Sequence, residues 1–389
     1  MKILHFASSD GKFGSAQCLK ELLKYEIMYE HQPIVITPKW NQINEYCNQN
    51  GIVNYVINYQ QFMIPKHDSW PLFIIKYLIR KFEYHMKINK AIKKVESIVD
   101  MSSVSIIHTN VSVISIGALV AKRNNIPHVW HIREFGKEDF HFYSVFYNCI
   151  NFMNEHANRF ISISDVVKNT WIKKGIDANK IATYYDGVEL EKERNLKEVL
   201  SSDVNIIMTG ALSETKGQKL LIQAISQLDD RIKKDIKVDI YGSGMNGYEK
   251  YLQKLIDDKL LNSTVFLKGY DKRIRETMLN YDIGVICSAS EGFGRVTIEY
   301  LLSKLVVVAS NSGANPELLS EGKYGILFEP SNPSDLANAI TKALQVYKNI
   351  ARREDAYDYA SKNYAINVNA NKIISLFQQT INEKETEKY

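Results

Sequence analysis

Residues 290–299, with the sequence SEGFGRVTIE, bring glycines and carboxylates together in a pattern that could hold an anionic or hydroxyl-rich ligand. They follow an apolar run at 283–287, which predicts a strand, and they begin a segment of helical period. Gly292 and Gly294 leave room for backbone N–H groups to approach a ligand, and the predicted helix directs its positive end to the same place. A diphosphate or an array of sugar hydroxyls would suit such a loop.

The two glutamates of this segment, Glu291 in the loop and Glu299 in the second turn of the predicted helix, can both face one ligand. Hydrogen bonds to their carboxylates would be charge-assisted. A second interpretation is that the glycines only begin a helix and that Glu299 is a solvated surface residue. Arg295 also has two interpretations, since it could lie beside a phosphate or pair with Glu299 at i, i+4.

Two further loops follow predicted strands of the same half. Residues 209–217, TGALSETKG, precede a helical pattern, and Lys216 in this segment would contact a diphosphate as a point charge. Gly242 begins a Gly-Ser-Gly loop after the predicted strand at 237–241. A glycine pair of this spacing is not specific on its own.

Taken together, these segments resemble the large retaining glycosyltransferase family 4, whose members have the GT-B fold and a Glu-x7-Glu motif. Glu291 and Glu299 match the two glutamates of that motif. The resemblance continues through 313–318, GANPEL, which is similar to the Gly-Gly-x-Pro-Glu turn of the family, and through 325–330, GILFEP. It covers essentially all of residues 203–345.

Segment 209–217 is similar to the Gly-Arg-Leu-x-x-x-Lys-Gly segment of the family, but Ala211 stands where the family usually has a second phosphate-binding arginine. The resemblance implies a nucleotide diphosphate sugar as donor, with Glu291 holding the sugar and Glu299 the ribose. It also implies a front-face reaction in which the leaving diphosphate helps to deprotonate the acceptor hydroxyl. The donor-binding residues that it implies are Gly14, Lys216, Gly242, Gly292, Phe293, Gly294, Arg295 and Glu299.

The first half of the chain contributes two of the candidate residues. His131 matches the histidine that many family members place near the transferred sugar. The resemblance therefore implies that His131 and Glu291 are the catalytic residues. The alternative interpretation is that a histidine at the end of a buried strand is a hydrogen-bonded structural residue. Gly14 belongs to 11–16, GKFGSA, which is similar to the Gly-rich loop of the family and is not a P-loop. The segment 186–188, DGV, is similar to the family's Asn-Gly-Val and is interpreted as a turn.

The elements that position these residues alternate between short apolar runs and longer segments of helical period, which is typical of parallel α/β architecture. Ligands of such sheets bind beyond the carboxyl ends of the strands, so two Rossmann-like, doubly wound domains that face each other across a cleft would form a binding site. The predicted strands are 2–7, 34–37, 53–56, 104–108, 128–131, 159–163, 204–208, 237–241, 264–267, 283–287, 305–309 and 325–328.

A charged stretch with few apolar residues at 189–200 predicts the domain boundary. We expect an acceptor-binding Rossmann-like domain over 1–190 and a nucleotide-sugar-binding Rossmann-like domain over 191–365. A C-terminal helix over 366–389 could cross back to the first domain.

The 389 residues suit two domains, and 45% hydrophobic and 24% charged residues are ordinary for a globular enzyme. A net charge of +5 is too small to indicate nucleic acid. The four cysteines are scattered, and no apolar run is long enough to span a bilayer, so we expect a cytoplasmic protein. No Asp-x-Asp triplet is present, so we expect metal independence and no cofactor beyond the donor.

Residues 72–94 contain a basic amphipathic pattern that could lie on an anionic membrane surface. Between 76 and 94 there are seven basic residues and one acid, Glu83, while apolar residues recur at helical spacing. The alternative is an ordinary helix with its apolar stripe in the core and its lysines in water. The stripe consists of Ile75, Leu78, Ile79, Phe82 and Met86.

The sequence thus favours a hexosyltransferase that uses a nucleotide sugar, UDP-linked rather than GDP-linked, and retains the anomeric configuration. The acceptor would be a growing surface glycan or a lipid-linked molecule. Three alternatives remain: a glycoside hydrolase that uses Glu291 and Glu299 as acid and base, an epimerase acting on a UDP-sugar, and a non-catalytic partner subunit of the same fold. Ala211 favours the last of these, whereas Glu291, Lys216 and His131 favour an enzyme.

Overall fold

The computed structural model describes residues 1–8, 14–66, 69–136, 142–189, 203–244 and 247–386. The chain divides into two α/β units. The first comprises Met1–Gly187 and the C-terminal segment from Ile366, and the second comprises Val188–Ala365. Most of the charged stretch at which we expected the domain boundary lies outside the described residues.

The first unit contains a seven-stranded parallel sheet in the order β3-β2-β1-β5-β6-β8-β9 and a separate antiparallel pair, β4-β7. The six strands predicted in this half are confirmed, with ends that differ by at most two residues. The strands β4, β7 and β9, which have three residues each, were not predicted from the sequence. The strands are β1 Lys2–Phe6, β2 Gln32–Thr37, β3 Val53–Val56, β4 Met63–Pro65, β5 Ile106–Thr109, β6 His128–Ile132, β7 Phe142–Ser144, β8 Arg159–Ser162 and β9 Ile181–Thr183.

The central strands of this sheet are buried on both faces, as the apolar runs of β1, β5 and β6 require. The C-terminal helix Ile366–Thr386 packs on one face, where Phe377 and Ile373 belong to the same core cluster as Ile3 and Val129. The other helices of the unit are Gly14–Met28, Gln42–Gln49, Trp70–Ile98, Ile116–Asn124, Cys149–His156 and Asp165–Lys173.

The helix Trp70–Ile98 confirms the helix predicted from the basic amphipathic pattern, but its apolar residues form two faces. One face is buried in the unit and includes Phe73, Tyr84, Ile88 and Val95. The stripe named from the sequence is the other face, and it is exposed: Ile75 58%, Leu78 58%, Ile79 55%, Phe82 67% and Met86 65%. Among the described helices, none is both long enough and apolar enough to cross a membrane.

The second unit contains a six-stranded parallel sheet in the order β12-β11-β10-β13-β14-β15, and all six predicted strands are confirmed. They are β10 Val204–Thr209, β11 Ile236–Tyr241, β12 Val265–Gly269, β13 Ile283–Ile286, β14 Val306–Ser310 and β15 Ile326–Phe328. The helices are Gln218–Ser226, Asp230–Lys234, Tyr248–Asp258, Ile274–Met278, Arg295–Leu302, Asn315–Leu318, Pro333–Val346 and Ile350–Tyr364.

Each sheet has a point at which the strand order reverses, between β1 and β5 in the first unit and between β10 and β13 in the second. The loops that leave the carboxyl ends of two such strands diverge to opposite sides of the sheet and leave a crevice, which is where open parallel sheets bind ligands. Both Rossmann-like units therefore have a preformed place for a site.

Candidate functional site

Lys216 and Glu291 meet at the reversal point of the second sheet. Lys216 lies in the short 3₁₀ turn Glu214–Lys216 after β10, and Glu291 lies in the loop after β13. The Lys216 Nζ is 2.5 Å from the Glu291 Oε1, and both side chains are only partly exposed. The loops after β10 and β13, both predicted to bind a ligand, are thus adjacent, and each contributes one charged side chain to the crevice.

A neighbouring turn holds the backbone of Glu291. The Ala314 N–H donates to the Glu291 carbonyl oxygen at 2.9 Å. Gly313 has a φ of 57°, and a Cβ at this position would lie 2.5 Å from the same oxygen. The turn therefore needs glycine both for its left-handed backbone and for the close approach of the two chains.

The helix Arg295–Leu302 begins immediately after this loop. Gly294 precedes it with a φ of 72°, a conformation that glycine adopts without strain. Thr297 in the first turn donates from Oγ1 to Asn315 Oδ1 at 2.8 Å, which ties the helix to the following turn. Phe293 is buried, and its ring packs against that of Tyr364. The N-terminal amides of the helix are thereby held at the carboxyl edge of the sheet, close in sequence to Gly292.

Glu299 is held by two arginines. Its Oε1 lies 3.1 Å from the Nε of Arg295 and 3.3 Å from the Nε of Arg275 on the short helix Ile274–Met278. The i, i+4 pairing of Arg295 with Glu299 is therefore present, and Glu299 is not a solvated surface residue, since its side chain is 11% exposed. Arg275 was not predicted from the sequence, because it stands in no recognisable motif. Ala211, where the family usually has an arginine, is exposed.

Gly242 is required by a close approach of two loops. A Cβ at this position would lie 1.8 Å from the carbonyl oxygen of Gly210, and the φ of Gly242 is 149°. Its N–H donates to the carbonyl oxygen of Gly269 at 2.8 Å. The loops after β10 and β11 are consequently packed backbone to backbone.

Gly14 lies at the reversal point of the first sheet, as the first residue of the helix Gly14–Met28. The Asn110 side chain, which follows β5, donates to the carbonyl oxygen of Ser15 at 3.0 Å and joins the two loops. Most of the Gly-rich loop before Gly14 lies outside the described residues.

His131 lies near the carboxyl end of β6 and is fully buried. Burial, together with the positive charge of Arg133 and the neighbouring His108, holds the pKa of His131 well below its usual range. The imidazole is therefore neutral at physiological pH. The Arg133 guanidinium binds both carboxylate oxygens of Asp186. Burial opposes the charge of Arg133, but Asp186 and the neighbouring Cys18 and Glu134 together outweigh this effect, so the pKa of Arg133 is raised.

Asp186 does more than form the turn expected from the DGV segment, because it neutralises a buried arginine next to His131. Glu26, His5 and His108 were not predicted from the sequence, and all three are fully buried in the same unit as His131. No local spacing indicates these residues, since they lie on separate elements and meet only when the strands pair.

Two family models match the chain in succession. Residues 14–192 match the model described as Glycosyltransferase Family 4, and residues 191–363 match the model described as Glycosyl transferases group 1. Together these matches cover both units.

Two relatives are similar to about half of the chain. A Campylobacter jejuni N-acetylgalactosamine-N,N'-diacetylbacillosaminyl-diphospho-undecaprenol 4-alpha-N-acetylgalactosaminyltransferase is 30% identical over 208 residues, which are 51% of this chain and 54% of the relative. A D-inositol 3-phosphate glycosyltransferase of Paenarthrobacter aurescens is 29% identical over 192 residues, which are 46% of each protein. The chain thus spans about half the length of each relative.

Solved structures share the fold over nearly the whole chain. The crystal structure of HepE from Anabaena in complex with UDP has a TM-score of 0.79 at 21% identity, with 97% of this chain and 100% of the other covered. The same protein has also been solved with UDP-glucose, at a TM-score of 0.75 and 22% identity over the same shares of the two chains. The expected fold is confirmed. The chain is therefore similar to the Glycosyltransferase Family 4 model over residues 14–192 and to the group 1 glycosyl transferase model over residues 191–363, and it has the GT-B fold.

Proposed function

We propose that this protein is a retaining glycosyltransferase that moves a hexose from a nucleotide diphosphate sugar to a glycan or lipid-linked acceptor. The observation that carries the proposal is the meeting of Lys216 and Glu291 at the strand-order reversal of the second unit. One loop supplies a cation for the diphosphate, and the other supplies a carboxylate for the sugar hydroxyls.

The positive charge at this edge comes from the protein itself. Lys216 and the N-terminal amides of the helix Arg295–Leu302 would stabilise the negative charge that develops on the leaving diphosphate. In this proposal no metal ion is needed for that task. Arg275 and Arg295, both bound to Glu299, would provide the guanidinium groups that the exposed Ala211 lacks.

Glu299 is the proposed ribose ligand and Glu291 the proposed sugar ligand. Glu291 binds Lys216 in the structure, so donor binding would replace this ion pair by contacts to phosphate and hydroxyl groups. His131 would act in the transfer as a neutral hydrogen-bonding group, because burial keeps it uncharged. Retention of configuration would follow from front-face attack, with the diphosphate accepting the proton of the acceptor hydroxyl.

A UDP-sugar is the favoured donor, and HepE, solved with UDP and with UDP-glucose, supports this choice. The first test is a thermal-shift comparison of UDP, GDP, ADP and dTDP with the whole chain. A ligand present at 100 times its dissociation constant adds about 2.7 kcal/mol to stability. Stabilisation by UDP alone is expected, whereas no shift with any of the four nucleotides would refute the proposal.

A transfer assay with the stabilising nucleotide sugar then distinguishes the remaining functions. A transferase is expected to form product only when an acceptor is present. Proton NMR of that product should show the same anomeric configuration as the donor. Conversion of the donor sugar without an acceptor would identify an epimerase. Nucleotide binding with no turnover in either format would identify a non-catalytic subunit, the function that Ala211 favours.

We further propose that the first unit contacts an anionic membrane surface through the exposed stripe of the helix Trp70–Ile98, the five residues Ile75, Leu78, Ile79, Phe82 and Met86. A contiguous apolar stripe exposed to water is unfavourable, and the helix is lined with cations that complement anionic headgroups. Each basic residue near such a surface adds about 1 kcal/mol. The basic residues are Lys76, Arg80, Lys81, Lys87, Lys90, Lys93 and Lys94.

Such a contact would bring the enzyme to a lipid-linked acceptor, the kind of molecule that the name of the Campylobacter jejuni relative specifies. The test is flotation with phosphatidylglycerol vesicles and with neutral phosphatidylcholine vesicles at low salt. Binding to the anionic vesicles that weakens as salt is raised is expected, since salt screens exposed charges. Equal recovery with both lipids, or none with either, would contradict the contact.

A further inference from the structure

Four buried side chains of the first unit form a continuous line that ends at His131. The His131 Nδ1 lies 3.4 Å from the Nε2 of His108, and the Nδ1 of His108 lies 3.0 Å from the Nδ1 of His5. The His5 Nε2 lies 2.9 Å from the Oε2 of Glu26. None of the four side chains is exposed to solvent.

The sheet explains why these residues meet. His5, His108 and His131 lie on the adjacent strands β1, β5 and β6 and point to one face, because His5 is paired with His108 and residues two apart on a strand share a face. Glu26 lies on the helix Gly14–Met28, which covers that face. The ring of Phe377 packs against His108. Polar groups in such an interior are costly unless they are hydrogen-bonded to one another.

Arg133 determines the direction of donation along the line. Its NH2 lies 3.3 Å from the His131 Nδ1, and a guanidinium has only donors, so this nitrogen must accept. A neutral imidazole carries its hydrogen on the other nitrogen, which is Nε2 of His131. By the same rule His108 donates from Nε2 to His131 and accepts at Nδ1 from the Nδ1–H of His5.

His5 and Glu26 then share one proton at the end of the line that is opposite His131. Because His5 donates from Nδ1, its Nε2 and the Glu26 carboxylate hold a single proton between them, either as imidazolium and carboxylate or as imidazole and carboxylic acid. Without this proton, each of the three imidazole rings could carry its hydrogen on the other ring nitrogen. The Nδ1–H of His131 would then oppose an N–H of Arg133, which is unfavourable.

We propose that Glu26, His5 and His108 are positioning residues that hold His131 as its Nε2–H tautomer, so that His131 meets its ligand as a hydrogen-bond donor and not as a general base. Its Nε2 has no hydrogen-bond partner among the described residues and lies 3.9 Å from the Asp186 Oδ1. A ligand oxygen would satisfy this donor. The role rests on the proposed function, in which that oxygen belongs to the sugar or its phosphate.

The tautomer can be measured directly on the unliganded full chain. Selective labelling of histidine with nitrogen-15 and long-range proton–nitrogen correlation spectra distinguish protonated from unprotonated ring nitrogens, and the His131→Asn variant assigns the signals of His131. We expect an unprotonated Nδ1 and a protonated Nε2. A protonated Nδ1 would overturn the proposal. Because no substrate is present, this result does not depend on whether the chain transfers sugar.

Substitution of Glu26 tests whether the line sets the tautomer. Glu26→Leu removes the shared proton and is expected to turn the single His131 tautomer into a mixture, whereas Glu26→Gln can donate to His5 and is expected to preserve it. Glu21→Leu, which removes another buried glutamate of the same helix, is the matched control. A Glu26→Leu spectrum identical to that of the control would show that Arg133 acts alone and would overturn the positioning role. His5→Phe makes the same test if Glu26→Leu does not fold.

Discussion

The ammonium of Lys216 and the carboxylate of Glu291 lie 2.5 Å apart, although 75 residues separate them in the chain. Parallel strands place the loops at their carboxyl ends on one edge of the sheet, and β10 and β13 are neighbours there. In the proposed function, this pair is where the nucleotide sugar would bind to the second unit.

Replacement of Glu291 by Ala should abolish sugar transfer and leave the fold intact. Loss of a group that contacts the reacting sugar costs about a hundredfold or more in kcat, whereas a partly exposed ion pair contributes at most about 1 kcal/mol to stability. The measurements are initial transfer rates and thermal unfolding, with the exposed Glu249→Ala as control. Turnover equal to that of the control would remove Glu291 from the site.

Lys216→Ala should weaken nucleotide binding, because a charge-assisted contact to phosphate contributes about 1.5–3 kcal/mol. We expect the dissociation constant for UDP, measured by calorimetry, to rise about tenfold to a hundredfold. Lys219→Ala, an exposed lysine three residues later, should leave it unchanged. If both variants bind UDP equally well, the diphosphate lies elsewhere.

Gly242→Ala should destabilise the second unit, because its Cβ would overlap the Gly210 carbonyl oxygen and its φ of 149° is strained for alanine. A loss of about 1–3 kcal/mol is expected from the backbone strain alone. Urea unfolding measures it. Gly14→Ala is the control, since nothing lies within 4 Å of the added atom. Equal unfolding midpoints for the two variants would contradict the close approach of the loops.

The first unit should lose stability as the pH falls below about 6.5. Burial lowers the pKa of His128 to about 4, although the hydrogen bond of its Nδ1 to the His156 carbonyl oxygen opposes this shift. Between these values the unfolded chain binds a proton that the folded chain does not, so acid favours unfolding. His128 alone accounts for roughly 2 kcal/mol between pH 7 and pH 5.

Urea unfolding of the first unit at pH 7 and at pH 5 measures this loss, and His128→Gln should reduce it. The exposed His85→Gln should leave the difference unchanged. The assignment to His128 fails if the His128 and His85 variants lose the same stability between the two pH values.

Phe82→Ser should weaken binding to anionic vesicles, because the phenyl ring is 67% exposed and its burial in the bilayer surface would be lost. Burial of such a side chain contributes about 1.5–3 kcal/mol, so binding about tenfold to a hundredfold weaker is expected in flotation titrations. Tyr270→Ser, an aromatic residue that is 75% exposed on the second unit, is the control. Unchanged binding by Phe82→Ser would exclude the stripe as the contact.

Most of the strands could be predicted from the sequence. Runs such as IIMT in β10 and VVVAS in β14 are apolar and β-branched, which is how strands buried on both faces appear. The three missed strands have three residues each, and their pairing depends on distant partners. The antiparallel pair of Met63–Pro65 with Phe142–Ser144 is an example.

Only some residues of the candidate site could be predicted from the sequence. Glu291, Glu299 and Lys216 stand in motifs with characteristic glycines, so the sequence alone marked them. Arg275 stands in no such motif, and the motif that contains Asp186 indicated only a turn. Their partners Glu299 and Arg133 lie on distant segments that only the folded unit brings close.

By itself the sequence determined two α/β halves and the loops that bear glycine, lysine and glutamate, because periodicity and turn residues act over a few neighbouring positions. Only the tertiary structure decided that Lys216 meets Glu291, that His131 ends a line of buried histidines, and that the stripe around Phe82 faces water. Each of these depends on which strands are neighbours and which helix face the sheet covers. These long-range contacts depend on the packing of the whole unit, so no local sequence pattern indicates them.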